Sequence, residues 1–192
     1  MALKAIVLAA GRSSRMSGGN KLLLPFADST VLGETVARIK KEIPDLLVVL
    51  GSEAERVRRS LPDGVQWVLN PNYSSGLASS IVCGVEHAPT EEGWLIALGD
   101  MPLLDLTVLQ RLKDMADSAC ILAPTYSGEP DRLGHPIVFG ATFRRDLLNL
   151  KGDSGARSIL RAHPERIRTF PVEGKLEDID TVSDYRGAML QS

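Results

Sequence analysis

Apolar runs bounded by turn residues alternate along this chain with stretches whose apolar positions recur at helical spacing. The runs predict strands at Lys4 to Ala9, Leu46 to Leu50, Val65 to Leu69 and Trp94 to Leu98, then at Ala119 to Ala123, Pro136 to Phe139 and Arg166 to Phe170. Between them the spacing predicts helices at Leu32 to Lys41, Glu53 to Ser60, Leu77 to His87 and Asp105 to Ala116. Shorter helices are expected near Thr142 to Asn149 and Ala156 to Ala162, and a last one from Val182 to Leu190. Unbroken apolar strands imply burial on both faces, and each parallel return needs a crossover helix. The expected fold class is α/β: a Rossmann-like three-layer α/β/α sandwich on a mostly parallel, mixed sheet, with Pro136 to Phe139 the candidate antiparallel strand. No repeat, low-complexity tract or linker interrupts the pattern, so residues 1–192 are expected to form a single domain.

Composition narrows the partners. The chain is 44% hydrophobic and 24% charged, enough to bury a core. With 22 Lys and Arg against 24 Asp and Glu, the net charge of -2 gives no footing for a nucleic-acid partner, so any anionic ligand must be bound locally. The apolar run after Lys4 stops at Gly11 and passes into Arg12-Ser13-Ser14-Arg15, too short for a secretory segment. No run approaches the ~20 apolar residues of a bilayer span, and a cytoplasmic location with no membrane partner is expected. Cys83 and Cys120 form no C-x-x-C pair and are expected to be reduced core thiols.

In open α/β sheets ligands bind beyond the carboxyl ends of the strands. That rule selects the loop from Ala10 to Lys21, the segment Gly99 to Pro102, and the stretches around Gly134-His135 and Asp178 to Thr181. The first of these, Ala9-Ala10-Gly11-Arg12-Ser13-Ser14-Arg15-Met16-Ser17-Gly18-Gly19-Asn20-Lys21, combines glycines, serines and cations. Glycines let backbone N–H groups approach phosphate, and Arg15 and Lys21 can neutralise its oxygens. The loop matches neither G-x-G-x-x-G nor the P-loop, and on spacing alone it is as consistent with a solvated turn as with a phosphate cradle. Asp100, in Leu98-Gly99-Asp100-Met101-Pro102, is the best metal-ligand candidate, since magnesium takes one or two carboxylates plus substrate phosphates. Asp180 is the candidate second ligand, although a cap for the last helix is a common role for Asp180 or Thr181 and, for Asp180 taken alone, the one its type favours. Ser79 and Ser80 open the helix from Leu77, where an N-cap is one reading of them. His135, before a proline, suits a turn residue. His87 and His163 are expected to be structural.

Leu8-Ala9-Ala10-Gly11-Arg12-Ser13-Ser14-Arg15-Met16 followed by Lys21-Leu22-Leu23-Leu24-Pro25 resembles the signature of the molybdenum-cofactor nucleotidyltransferases and related sugar-phosphate nucleotidyltransferases. The resemblance continues through the segment Asn70 to Ser80, Gly99-Asp100-Met101-Pro102, Gly134-His135-Pro136, Gly152-Asp153-Ser154-Gly155-Ala156-Arg157 and Asp178-Ile179-Asp180-Thr181. Ser17, ahead of Gly18-Gly19, departs from the family pattern, in which glycine often follows the methionine directly. The cytidylyltransferase branch is the most similar, because Ala9-Ala10-Gly11 is typical of it whereas Ala-Gly-Gly is typical of the guanylyl branch.

The resemblance implies a nucleotide-diphospho-sugar transferase type of fold, with the nucleotide on the N-terminal half and the acceptor on the C-terminal half. It implies that Leu8, Ala9, Ala10, Gly11, Arg12, Ser13, Arg15, Lys21, Asn70, Ser75, Gly76, Ser80, Gly99 and Asp100 surround the nucleotide. Arg15, Lys21 and Asp100 would be catalytic. Gly134, His135, Pro136 and Arg157 would face the acceptor, and Mg2+ would sit on Asp100 with Asp180. The expected reaction transfers CMP from CTP to the phosphate of a molybdopterin-type acceptor, and a molybdenum hydroxylase apo-enzyme is a further expected partner. Two alternatives stand beside it: a paralogue with another phosphorylated acceptor in a purine-catabolism or sugar-phosphate pathway, and a non-transferase, either oxidoreductase or maturation chaperone, on the same fold.

Overall fold

The computed structural model describes residues 2–11, 19–90, 92–126, 128–172, 179 and 181–190. Its strands are β1 (Lys4–Ala9), β2 (Pro25–Phe26), β3 (Ser29–Thr30), β4 (Leu46–Leu50), β5 (Gln66–Leu69), β6 (Gly93–Leu98), β7 (Ile121–Tyr126), β8 (Glu129–Leu133), β9 (Ile137–Gly140) and β10 (Ile167–Val172). Its α-helices are α1 (Val31–Glu42), α2 (Ala54–Arg58), α3 (Leu77–His87), α4 (Leu106–Met115), α5 (Arg144–Leu148), α6 (Arg157–Ala162) and α7 (Val182–Met189). The expected strands and helices are all present, with ends moved by a few residues. Asp105, for instance, stands outside α4 as its N-cap, accepting the Thr107 N–H at 2.8 Å. Three strands go beyond the expectation. β2 and β3 form a two-residue hairpin, and β8 is a polar strand, Glu-Pro-Asp-Arg-Leu, which carries no apolar run to announce it.

The main sheet runs β10-β7-β9-β6-β1-β4-β5, with β8 paired to β7. β1, β4, β5 and β6 are mutually parallel, as are β7 and β10, while β9 lies antiparallel between β6 and β7. One reversed strand inserted between two parallel groups leaves both groups pointing the same way. The carboxyl ends of β1, β4, β6, β7 and β10 therefore share one edge with the amino end of β9. This is how Gly134-His135-Pro136, which precedes a strand, reaches the edge where the other candidate segments follow theirs.

Adjacent positions along the strands feed opposite layers, as the period of two requires. Ala5, Val7, Ala9, Val48, Leu50, Leu95 and Ala97 pack toward Val36 and Ile39 of α1 and Val108, Leu109 and Leu112 of α4. Ile6, Leu8, Leu47, Val49, Trp94 and Ile96 pack toward Ala78, Ile81 and Val85 of α3, Leu147 of α5 and Ile159 of α6. Both faces are buried, which accounts for the unbroken apolar runs. A small satellite cluster of Phe26, Val31, Ile179 and Ala188, with Tyr185 against it, joins the β2–β3 hairpin to α7. Tyr185 fastens that contact by donating its hydroxyl to the Pro25 carbonyl at 2.6 Å. Among the described residues no helix is long and apolar enough to cross a membrane. Cys83 and Cys120 are both buried and free, as expected.

Candidate active site

The geometry of the first half begins with one capped turn. Asn20 precedes the 3-10 turn Lys21–Leu23, and its Oδ1 accepts the Leu22 N–H at 3.2 Å. The turn aims Lys21 across the sheet edge, where its Nζ meets Asp100 Oδ2 at 2.5 Å, the side chains 16% and 9% exposed. Asp100 follows β6, whose continuation is tied to β1 by the Gly99 N–H donating to the Leu8 carbonyl at 3.0 Å. Two candidates far apart in sequence are thus in direct contact. Burying an ion pair seldom adds much stability, because desolvation offsets the attraction. At a ligand edge the pair is better explained by what each partner can exchange it for: the ammonium for phosphate oxygens, the carboxylate for a hard cation.

Among the described residues no three His, Cys, Asp or Glu side chains cluster into a metal cage. A single buried carboxylate at the edge suits an ion such as magnesium or manganese, which completes its shell with substrate phosphates. The segment that carries the second candidate is held close by. The Ile179 N–H donates to the Asp100 carbonyl at 3.0 Å. Thr181 then caps α7, its Oγ1 accepting the Asp184 N–H at 3.2 Å while Asp184 Oδ2 accepts the Thr181 N–H at 2.7 Å. The capping role left open between Asp180 and Thr181 therefore belongs to Thr181. Asp180 itself lies outside the described residues, as do Arg12, Ser13 and Arg15.

The end of β1 contributes differently at each position. Leu8 and Ala10 are buried, Gly11 is exposed, and the Ala9 methyl points into the α1 side of the core, leaving its backbone alone for a ligand. Beyond β5, Asn70 is buried and fully engaged. Its Nδ2 donates to Ser79 Oγ at 2.9 Å and Ser80 Oγ at 3.1 Å, and its Oδ1 accepts the Asn72 N–H at 2.9 Å. Ser79 Oγ donates to the Gly76 carbonyl at 2.8 Å and Ser75 Oγ to the Asn72 carbonyl at 2.8 Å. Asn70, Ser75 and Ser80 thus build the loop that enters α3. Neither Ser79 nor Ser80 is the N-cap, a role the sequence left open to them: Gly76 stands at the cap and both serines lie inside the first turn.

Gly76 also joins the two halves. At φ 110° and ψ 174° its backbone favours glycine, and a Cβ there would come within 2.6 Å of the Gly152 carbonyl oxygen. That same oxygen accepts the Ala78 N–H at 3.2 Å. The Gly152 to Arg157 segment is therefore seated on the start of α3, with Arg157 exposed as the first residue of α6.

Gly134-His135-Pro136 lies between β6 and β7. Continuing the β6–β9 register beyond Ile96↔Ile137 puts His135 level with Leu98, and the Gly134 N–H donates to the Pro124 carbonyl at 2.8 Å. The His135–Pro136 peptide is cis. The other histidines are structural, as expected. His87 Nδ1 lies 2.8 Å from the Cys83 carbonyl, and His163 packs edge-on against Phe143 and 3.5 Å from Asp146. Burial, reinforced by Glu86, pushes the Cys83 thiol above its ordinary pKa, so it stays protonated at neutral pH and is a poor nucleophile. A cleft of about 80 Å³ lined by Lys40, Asp45, Leu46 and Gln66 lies at the opposite, amino edge of β4 and β5. It is well below the roughly 300 Å³ at which small-molecule sites begin.

Sequence reasoning missed Asn20 and Tyr185. Asn20 carried a signal, a capping residue directly before the candidate lysine; Tyr185 acts through a contact with Pro25 that no spacing rule encodes.

In sequence and in fold the chain is similar to known proteins. A family profile described as the MobA-like NTP transferase domain matches residues 5–167. The chain is 32% identical over 191 residues to the nicotine blue oxidoreductase of Paenarthrobacter nicotinovorans, covering 94% of each chain. It is 30% identical over 139 residues to the molybdenum cofactor cytidylyltransferase of Escherichia coli (strain K12), covering 71% of this chain and 69% of that one. Among solved structures, the manganese complex of Rv0371C from Mycobacterium tuberculosis H37Rv aligns over 100% of both chains with a TM-score of 0.82 at 29% identity.

Proposed function

Because the chain belongs to the MobA-like NTP transferase domain family, with the nucleotide-diphospho-sugar transferase fold, we propose that it is a cytoplasmic enzyme that transfers CMP from CTP to the phosphate of a molybdopterin-type acceptor. The observation that carries this reading is the Lys21–Asp100 ion pair at the carboxyl edge of the sheet. The whole chain acts as one domain, the nucleotide on the side of β1, β4 and α3, the acceptor beside β9 and α6.

An acceptor phosphate oxygen attacks the α-phosphorus of CTP in line. The new bond is a phosphoanhydride, the bond from the α-phosphorus to the bridging oxygen of the β-phosphate breaks, and pyrophosphate leaves with the electron pair. The attacking phosphate is already anionic at neutral pH, so the protein's task is alignment and charge neutralisation rather than proton abstraction. Lys21 turns from Asp100 to the phosphates, Arg15 assists, and Gly11 to Ser13 with Gly99 offer backbone and hydroxyl donors. Asp100 and Asp180 would hold magnesium, which would supply positive charge to the triphosphate. On the acceptor side, Gly134, His135, Pro136 and Arg157 hold the pterin and its phosphate. A molybdenum hydroxylase apo-enzyme is the recipient that this reading implies.

The test is pyrophosphate release with magnesium, comparing CTP, GTP, ATP and UTP, each with and without molybdenum-loaded molybdopterin. Release that requires both CTP and the pterin, and is lost in Asp100→Ala, supports the reading; release independent of the pterin overturns the acceptor.

A second reading has its own support in the oxidoreductase relative, which is similar over 94% of both chains. In this reading the same edge serves a redox reaction on a substrate of the nicotine blue type. A change in the absorbance of nicotine blue without pyrophosphate release separates the two.

A further inference from the structure

We propose that Tyr73 is a specificity-determining residue of the nucleotide site, the side chain that limits which base can lie against Ala10. The inference rests on the nucleotide reading above and adds to it the group that does the selecting.

The argument starts from Gly51. It directly follows β4 beside Ala10, to whose carbonyl the Ser52 N–H donates at 3.1 Å. A Cβ on Gly51 would come within 2.6 Å of Tyr73 Cβ, 2.7 Å of Tyr73 Cγ and 2.7 Å of Ala10 Cβ. Real Cβ atoms do not approach so closely, so the space that a side chain at 51 would fill is already taken by the Tyr73 side chain and the Ala10 methyl, side by side over a bare backbone.

Their position relative to the sheet follows from its alternation. Leu47 and Val49 face the α3 layer, so Gly51 does too. Ile6 and Leu8 face it from β1, so Ala10 does as well. Tyr73 therefore stands at the carboxyl edge, on the α3 side, next to the Leu8–Ala10 backbone.

The loop that carries it is built to hold it there. Asn70 is anchored by its N–H to the Leu50 carbonyl at 2.8 Å, and its side chain is committed to Ser79, Ser80 and Asn72. Tyr73 opens a 3-10 turn, Tyr73–Ser75, whose end is pinned by the Ser75 hydroxyl on Asn72. With its hydrogen-bonding atoms spent inside the loop, Asn70 is a positioning residue and not the reader of the base. The aromatic it presents beside Ala10 offers a flat wall to a base and a limit on how far that base can extend. Selection by shape at an apolar wall is worth roughly 10- to 200-fold between ligands that differ in size.

The experiment is calorimetric titration of wild type, Tyr73→Ala and Tyr73→Phe with CTP, UTP, ATP and GTP in the presence of manganese and without acceptor. Wild type should prefer pyrimidine nucleotides. Tyr73→Ala should shift the purine-to-pyrimidine affinity ratio toward purines by about 10-fold or more, and Tyr73→Phe, which keeps the ring, should retain the wild-type ratio. Melting curves establish that each variant is folded. An unchanged ratio in Tyr73→Ala, or proportional weakening of all four nucleotides, overturns the assignment of Tyr73 while leaving the transferase reading intact. Wild-type protein that binds none of the four overturns both.

Discussion

Asn70, Ser75, Ser79 and Ser80 bond to one another and to the backbone of a single loop, whereas Asp153, Ser154 and Arg157 stand exposed on the segment that packs against it. The first arrangement is preorganised. Its polar groups are satisfied before any ligand arrives, so binding costs little ordering of the protein. The second presents side chains to solvent on a backbone held by Gly76 and Gly152. On the proposed reading, a rigid nucleotide side and a more open acceptor side would let one architecture keep its nucleotide chemistry while the second substrate varies.

The strongest way to break the comparison is at the ion pair. Lys21→Met should lower transfer by at least about a hundredfold, since it removes a positive charge from the developing pyrophosphate. It also leaves Asp100 without the lysine, a change that in a fully buried pair costs roughly 3–5 kcal/mol and less here because both side chains keep some exposure. Added manganese should recover much of that loss in a melting experiment, because a cation replaces the missing charge. A melting point that ignores the ion would argue against Asp100 as its ligand.

Next comes the joint between the halves. Gly76→Ala should destabilise by about 1–3 kcal/mol in denaturant titration, because the residue sits at positive φ and its methyl would press on the Gly152 carbonyl. Should it prove neutral, the two segments are not locked together as described.

Arg157→Ala sharpens the contrast itself. It should raise the acceptor KM by about tenfold, the value of one charge-assisted bond, and leave nucleotide affinity within about twofold. Equal effects on both substrates would contradict the division. The smallest effect belongs to Tyr185→Phe, which removes one hydrogen bond to Pro25 and should cost about 1 kcal/mol. Because Tyr185 helps seat α7 and the Ile179 contact to Asp100, half-saturation by manganese should rise slightly while metal-free stability changes little more than that.

Much of this protein was legible in one dimension. The unbroken strands of β1, β4 and β6 and the helical spacing between them follow from burial on two faces, and they specify a covered parallel sheet. The motifs around Gly11, Lys21, Asp100 and Gly134 could be located because ligand chemistry in such sheets gathers where strands end. Contacts between distant segments were not legible. Nothing in the spacing pairs Lys21 with Asp100, gives the helix cap to Thr181 rather than Asp180 or Ser79's hydroxyl to Gly76, or sets Tyr73 over Gly51. Local pattern reports which face of an element is apolar and what its ends can bond. Which ends meet is decided by strand order, by the one reversed strand β9, and by the close approach that a missing Cβ permits, and these exist only once the chain has packed.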